Sequence, residues 1–384
     1  MMTPSVPPDM PWKQMTELTL KHNTSRAVAN YTDRLAAAWG TVDAATRRHR
    51  IAIASTVVEL QVRGDTMNDA LFPALAHLAV PATTQRIPDI VFHLWDGDET
   101  GAWPPPPPFA TDDYHRYGQR AVAHDSATSV MVAPFDGLLY AYNQESRQGY
   151  FWCRNAAELS IYERAAPAQT LFHWALREFG WQVVHAAAVG TEAGGVLLVG
   201  NTGAGKSTTA LALLEQRNGH SPALRYLSDD KCLVRLRPQV EAFALFNSAK
   251  LKADMLDRFP TFRPLIQGWD DEYKAGKSLA FLHPSFDGQM IRRMPISALV
   301  TPQIAHLAQP RLTPVRGPEV FRVLGPSTVI WLPGAEADNF RFNAELARTL
   351  PSFRLDLAVE PERNSAAIAA LLDSLPCAAS QRSA

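Results

Sequence analysis

Alternation of apolar and polar residues recurs along the chain from residue 50 to residue 154. "RIAIASTVVELQVRG" (50–64) and "DIVFHLWDG" (89–97) alternate loosely and are rich in β-branched or aromatic residues, which predicts strands. "SVMVAPFDGLLYAYNQESRQGYFWCR" (129–154) repeats the pattern around two turn signals, Pro134 to Gly137 and Gln144 to Gly149, and predicts strand, turn, strand, turn, strand. Helical spacing is rarer here. Part of 28–50 is Ala-rich and helical in character, and "NDALFPALAHLAVPA" (68–82) predicts a short helix with Pro73 near its start. "WPPPPPF" (103–109) has no backbone donors for a sheet and reads as a stiff polyproline II surface loop; a ligand for a proline-binding domain is the alternative.

From residue 166 the pattern changes. "APAQTLFHWALREFG" (166–180) has apolar positions at helical spacing, with Pro167 at its start and Gly180 at its end. "WQVVHAAAVG" (181–190) predicts a strand leading into a turn. Gly195 to Val199 predicts a buried strand, and Thr208 to Glu215 a helix. A strand-like segment at 225–236 is interrupted by two carboxylates, and 271–303 holds a strand pair. The fold class is therefore α/β. The expected plan is a flexible lead (1–25), a β-rich α+β domain for substrate or partner (26–164), a nucleotide-binding domain with a mixed sheet (165–375) and a disordered tail (376–384).

Composition narrows the class only by exclusion. The chain has 384 residues, 46% hydrophobic and 20% charged, an ordinary soluble globular balance. Its 37 basic and 38 acidic residues nearly cancel, so no global field draws it to nucleic acid or to an anionic membrane. Cys153, Cys232 and Cys377 are too widely spaced for a disulfide framework or a zinc site. No basic segment followed by an apolar run opens the chain, and no stretch reaches the roughly 18 apolar residues of a membrane span. A cytoplasmic location is expected, and a homo-oligomer stays open.

"LLVGNTGAGKSTTALALLE" (197–215) carries the chemistry. Gly200, Gly205, Lys206 and Ser207 fit G-x-x-x-x-G-K-[ST], with Gly203 a further small position, between a predicted strand and a predicted helix. Such a loop cradles nucleotide phosphates. Glycines let backbone approach the oxygens, and the helix N-terminus adds its positive dipole end. Gly200, Asn201, Thr202, Gly203, Ala204, Gly205, Lys206, Ser207 and Thr208 are the expected ATP contacts. Lys206, expected to face solvent, would bridge the β- and γ-phosphates, and Ser207 would hold Mg²⁺.

Asp229 and Asp230 interrupt "RYLSDDKCLVRL" (225–236) only 24 residues after Lys206. One helix and one loop fill that interval, so the pair is expected beside the Gly-rich loop, where a carboxylate binds Mg²⁺ or accepts the proton of an attacking hydroxyl. A polar turn is the plainer alternative. His185, at the end of "WQVVH", is expected to reach the phosphates from a neighbouring strand. The chain has no L-S-G-G-Q and no N-K-x-D segment, which weakens transporter-ATPase and guanine-switch readings.

Together "VVHAAAV", "GNTGAGKSTTALALLE" and "LSDDKCLV" resemble the catalytic domain of the HPr serine kinases and, more broadly, the phosphoenolpyruvate carboxykinase-type P-loop fold. The likeness covers about 165–350 and extends to HPr kinase-like proteins of peptide-modification systems. It implies His185 close to the phosphates, Lys206 on the nucleotide, Ser207 on the metal, Asp230 as proton acceptor and Asp229 as its neighbour or a metal contact. Two features depart from the family: Thr208 follows the loop serine where bifunctional members carry Glu, and "LFNSAKLKADML" (245–256) replaces a metal-binding Glu segment. Solvated charge is the plain reading of Lys250, Lys252, Lys274, Lys277, Arg292 and Arg293; of these, Lys252 and Arg292 or Arg293 are the candidates to meet phosphate or substrate. The expectation is an ATP-dependent kinase, with Mg²⁺, acting on a serine of a peptide or small protein. The alternatives are a kinase of a small-molecule alcohol and a regulatory ATPase without acceptor.

Overall fold

The computed structural model describes residues 28, 30–81, 86–109, 120–134, 136–215, 224–269, 276–332 and 336–375. The expected lead, the expected tail and Lys274 lie outside these. The protein is mixed α/β, and its contacts divide it into two compact units that part between Phe179 and Gly180.

The first unit contains α1 (Tyr31–Gly40), β1 (Thr46–Ile53), β2 (Thr56–Arg63), α2 (Asp65–Leu71), β3 (Ile90–Asp96) and α3 (Gly97–Thr100). There follow β4 (Ala121–His124), β5 (Thr128–Ala133), β6 (Leu138–Asn143), β7 (Gln148–Cys153), α4 (Ile161–Ala165) and α5 (Gln169–Leu176). The seven strands form one sheet in the order β1-β2-β3-β7-β6-β5-β4. Pairs β2–β3 and β3–β7 are parallel and the others antiparallel. Tyr31, Leu35 and Trp39 of α1 pack on one face against Trp95, Val130, Leu139 and Tyr150. Phe172 of α5 meets Phe92 edge-on, with ring centroids 5.1 Å apart.

Three expectations change here. The predicted strand 50–64 is the hairpin of β1 and β2. Pro73 ends α2 and starts a 3₁₀ turn, Phe72–Ala74, instead of opening a helix, because its ring clashes with a continuing helix. The predicted helix 166–180 begins as expected near Pro167 but belongs to the first unit, so the boundary lies after it rather than near 165. The proline run is held as a loop: the Tyr31 hydroxyl donates to the Pro105 carbonyl at 2.8 Å.

The second unit contains β8 (Gln182–Val184), β9 (Ala187–Gly190), β10 (Gly195–Leu198), α6 (Lys206–Glu215), β11 (Arg225–Ser228), β12 (Cys232–Arg235), β13 (Glu241–Phe243), β14 (Ser248–Lys252) and α7 (Ala253–Arg258). It continues with β15 (Ile266–Trp269), β16 (Lys277–Phe281), β17 (Arg293–Leu307), β18 (Arg311–Val315), α8 (Gly317–Trp331), α9 (Glu336–Thr349), β19 (Ser352–Ala358) and α10 (Pro361–Ser374). The main sheet runs β11-β9-β10-β17-β13-β12-β8, with β19 beside β17 and β18 beside β19; β14, β16 and β15 form a second sheet.

β10 explains its own sequence. Val196 and Leu198 enter a core with Leu211 and Leu214 of α6 and Ile368 and Leu371 of α10. Leu197 and Val199 enter the opposite core with Val320 and Leu324 of α8 and Leu346 of α9. A strand covered on both faces must be apolar throughout, and "GVLLV" is. Among the described residues no helix is long and apolar enough to cross a membrane.

Candidate functional site

The Gly-rich loop leaves the C-terminal end of β10 and enters α6. It turns through Gly203 at φ 84° and Gly205 at φ 100°, both in the region that favours glycine. A Cβ at Gly205 would also stand 2.4 Å from Leu357 Cδ1. Lys206, expected to face solvent, is only 6% exposed. Its Nζ donates to the carbonyls of Gly200 at 2.6 Å and Asn201 at 3.1 Å. Burial lowers its pKa, opposed by the Asp230 and Asp229 charges.

The two acidic residues reach the loop through a shared break in two strands. β11 pairs antiparallel with β9, and β12 with β8. The chain from β8 to β9 breaks at His185 and Ala186, and the chain from β11 to β12 breaks at Asp229 to Lys231. The breaks face each other. Ser228 holds the second one by donating from Oγ to the Lys231 carbonyl at 2.8 Å. His185 Nε2 lies 3.0 Å from Asp230 Oδ1, and its backbone N–H donates to Thr328 Oγ1 at 3.3 Å.

The carboxylates sit in different surroundings. Asp229 is 3% exposed. Burial and the neighbouring Asp230 charge raise its pKa, and Lys250 and the Ser207 hydroxyl oppose the rise. Its Oδ1 has no hydrogen-bond partner among the described residues. Asp230 keeps 29% of its side chain exposed and takes Lys250 Nζ at 2.9 Å and Lys231 Nζ at 3.6 Å. Burial alone would raise its pKa, but Lys250, Lys231 and His185 outweigh burial and hold it well below the usual carboxylate range.

The cation candidates are redistributed. Lys250, read as surface charge, is the buried partner of the acidic pair, while Lys252 at the end of β14 is exposed. Lys277 lies opposite Lys252 in the β14–β16 register. Burial and the Lys250 charge lower its pKa, so it is a cation held close to other cations. Arg292 and Arg293 are not at the loop. Arg293 opens β17 and Arg292 precedes it, three residues or more before Ile296, which pairs with the first residue of β10; the loop follows the last. Arg293 is spent on buried Glu241, which Arg235 also holds at 2.6 Å.

Thr301 carried no signal in the sequence. It follows Val300, whose carbonyl accepts from Val199 N at 2.9 Å, and its Cγ2 lies 3.8 Å from where a Gly200 Cβ would be. Its hydroxyl is buried with no partner among the described residues. Only the long β17 strand running beside β10 brings it there.

Magnesium fits this donor set. The orphaned Asp229 Oδ1 and the facing Ser207 hydroxyl are hard oxygen donors. Among the described residues no three His, Cys, Asp or Glu side chains gather as a cage, and Mg²⁺ at phosphate sites needs only one or two carboxylates beside the phosphates. No protein-family model matches the chain, and no curated protein matches it.

Proposed function

We propose that this protein is an ATP-dependent phosphotransferase that moves the γ-phosphate to a hydroxyl, with a serine of a peptide or small protein as acceptor. In this reading the second unit is an HPr kinase-like P-loop domain of the phosphoenolpyruvate carboxykinase type. The observation that carries it is the convergence of Lys206 and Ser207 with Asp229, Asp230 and His185 at the paired strand breaks. A phosphate loop alone serves many classes; an acidic pair beside it, with buried Asp229 on its serine and Asp230 partly open, suits transfer to an acceptor.

Ser207 and Asp229 would hold Mg²⁺, which neutralises charge on the β- and γ-phosphates. Lys206 exchanges two backbone carbonyls for phosphate oxygens. Lys277 meets the charge that spreads over the transferring group. The acceptor oxygen bonds to the γ-phosphorus as the bond from that phosphorus to the β–γ bridging oxygen breaks, and the hydroxyl proton passes to an Asp230 oxygen. Asp230 is ionised at neutral pH, as a base must be. Its low basicity places proton transfer late, once the new P–O bond has made the hydroxyl acidic.

Transfer of labelled γ-phosphate from ATP into peptides, alcohols and water tests the reading. Asp230→Asn is expected to slow transfer about 10²–10⁴-fold while ATP affinity changes little. Phosphate release to water alone would favour the regulatory ATPase. Wild-type transfer by both Asp230→Asn and Lys206→Ala would remove the site from the mechanism.

A further inference from the structure

β17 and β19 continue past the Gly-rich loop. Ile304 and Leu357 are register partners on these parallel strands, and both approach Gly205, at 3.9 and 2.4 Å from where its Cβ would be. Leu357 belongs to the core beneath α6 and α10. Ile304 does not. It is 52% exposed, and Val359, two residues beyond Leu357, is 57% exposed. Val359 N donates to the Leu307 carbonyl at 3.0 Å, which ties the two strand ends together. Two large apolar side chains therefore stand open to solvent, Ile304 beside the loop and Val359 at the strand end past it, where burial would be favourable.

The first turn of α6 leads to the same place. Thr208 Oγ1 lies 3.9 Å from Met255 Sδ on α7, and the Arg258 guanidinium at the end of α7 donates to the Val359 carbonyl. Asp229 and Asp230 lie on the β11–β9 side of β10, whereas Ile304 and Val359 lie on the β17–β19 side. A triphosphate seated in the loop with its γ-phosphate at the acidic pair would extend its other end away from that pair, toward the β17–β19 side.

We propose that Ile304 and Val359 form the base-binding ledge of a nucleoside triphosphate site, an inference that rests on the nucleotide-dependent reading above. The face of a heteroaromatic base is apolar, and resting it on the ledge removes both surfaces from water. Contact through the face does not read the base's hydrogen-bonding edge, so this grip is common to adenine and guanine.

Calorimetric titration of the full chain with Mg·ATP, Mg·GTP and Mg·tripolyphosphate tests the ledge. Ile304→Asn is expected to weaken ATP and GTP about tenfold each and to leave tripolyphosphate, which has no base, unchanged. Val359→Asn is expected to do the same and serves if the first variant does not fold; Ile304→Val should bind like wild type. Unchanged ATP affinity in both Asn variants would overturn the ledge while leaving the nucleotide reading intact. Equal loss of tripolyphosphate would also overturn it, since the damage would then be to the loop. Wild-type protein that binds none of the three would overturn the nucleotide reading itself and the ledge with it.

Discussion

Two lysines on β14 carry the same charge into different surroundings. Lys250 has a side chain only 9% exposed and lies 2.9 Å from Asp230, while Lys252 is exposed. Burial opposes the charge on Lys250, but Asp230 and Asp229 outweigh it and raise its pKa. Removing one partner of such a pair strands the other. Lys250→Met is expected to cost about 3 kcal/mol, toward the low end for a buried pair because His185 and Lys231 still face Asp230. Lys252→Met is expected to stay within about 0.5 kcal/mol. Urea unfolding of both variants checks the contrast. Nothing in "SAKLKAD" distinguishes the two lysines, because they stand two residues apart on the same face of β14 and only the approach of Asp230 covers the first. The turn of the loop, by contrast, is legible, because Gly203 and Gly205 answer a local backbone demand that sequence spacing encodes directly, whereas the burial of Lys206 is not.

At the scale of elements, the interior strand β3 holds a titratable core residue. His93 stacks against Tyr150 at 5.0 Å and meets Gln148 Oε1 at 3.2 Å. Burial, helped by the Arg63 and Arg48 charges, holds its pKa down to about 4. Above the unfolded value near 6.5 both states are neutral and its contribution to stability is full. As pH falls from 6.5 toward 4 the unfolded chain takes up a proton that the folded chain refuses, and stability drops by up to about 3 kcal/mol. Unfolding midpoints at pH 7.5 and 5 should therefore differ more for wild type than for His93→Phe; equal differences would assign the acid limb elsewhere. β3 itself follows the alternation of "DIVFHLWDG", as β5 to β7 follow theirs. The β1–β2 hairpin was illegible for a physical reason. Its turn places Ala54 at φ 53°, a position usually marked by Gly or Asn, so no turn residue interrupts the run. The distance of Arg292 and Arg293 from the loop belongs to this scale too: which end of a strand carries the loop is fixed by pairing with β10, not by anything within 271–303.

For the whole molecule, a ligand that binds only the folded second unit must stabilise it by mass action. Mg·ATP at 100 times its dissociation constant is expected to add about 2.7 kcal/mol to the unfolding free energy of that unit. Lys206→Ala should lose most of the gain, and differential scanning calorimetry reads both. A thermogram of wild type indifferent to Mg·ATP would count against a nucleotide site.

The facing breaks at His185 and at Asp229 to Lys231 have a consequence for how this gene can change. Each break lies between two paired strands, so the spacing from loop to acidic pair to histidine is counted in whole residues by ladders on both sides. Substitution alters one side chain and leaves the count intact. A codon gained or lost within 182–190 or 225–235 shifts one ladder by a residue, turns its side chains to the opposite face and carries His185 and Asp230 out of phase. The β9–β10 turn at Thr191 to Gly194 carries no such count. Length variation among descendants of this sequence should therefore collect there, and stay out of the two ladders, even where their amino acids drift.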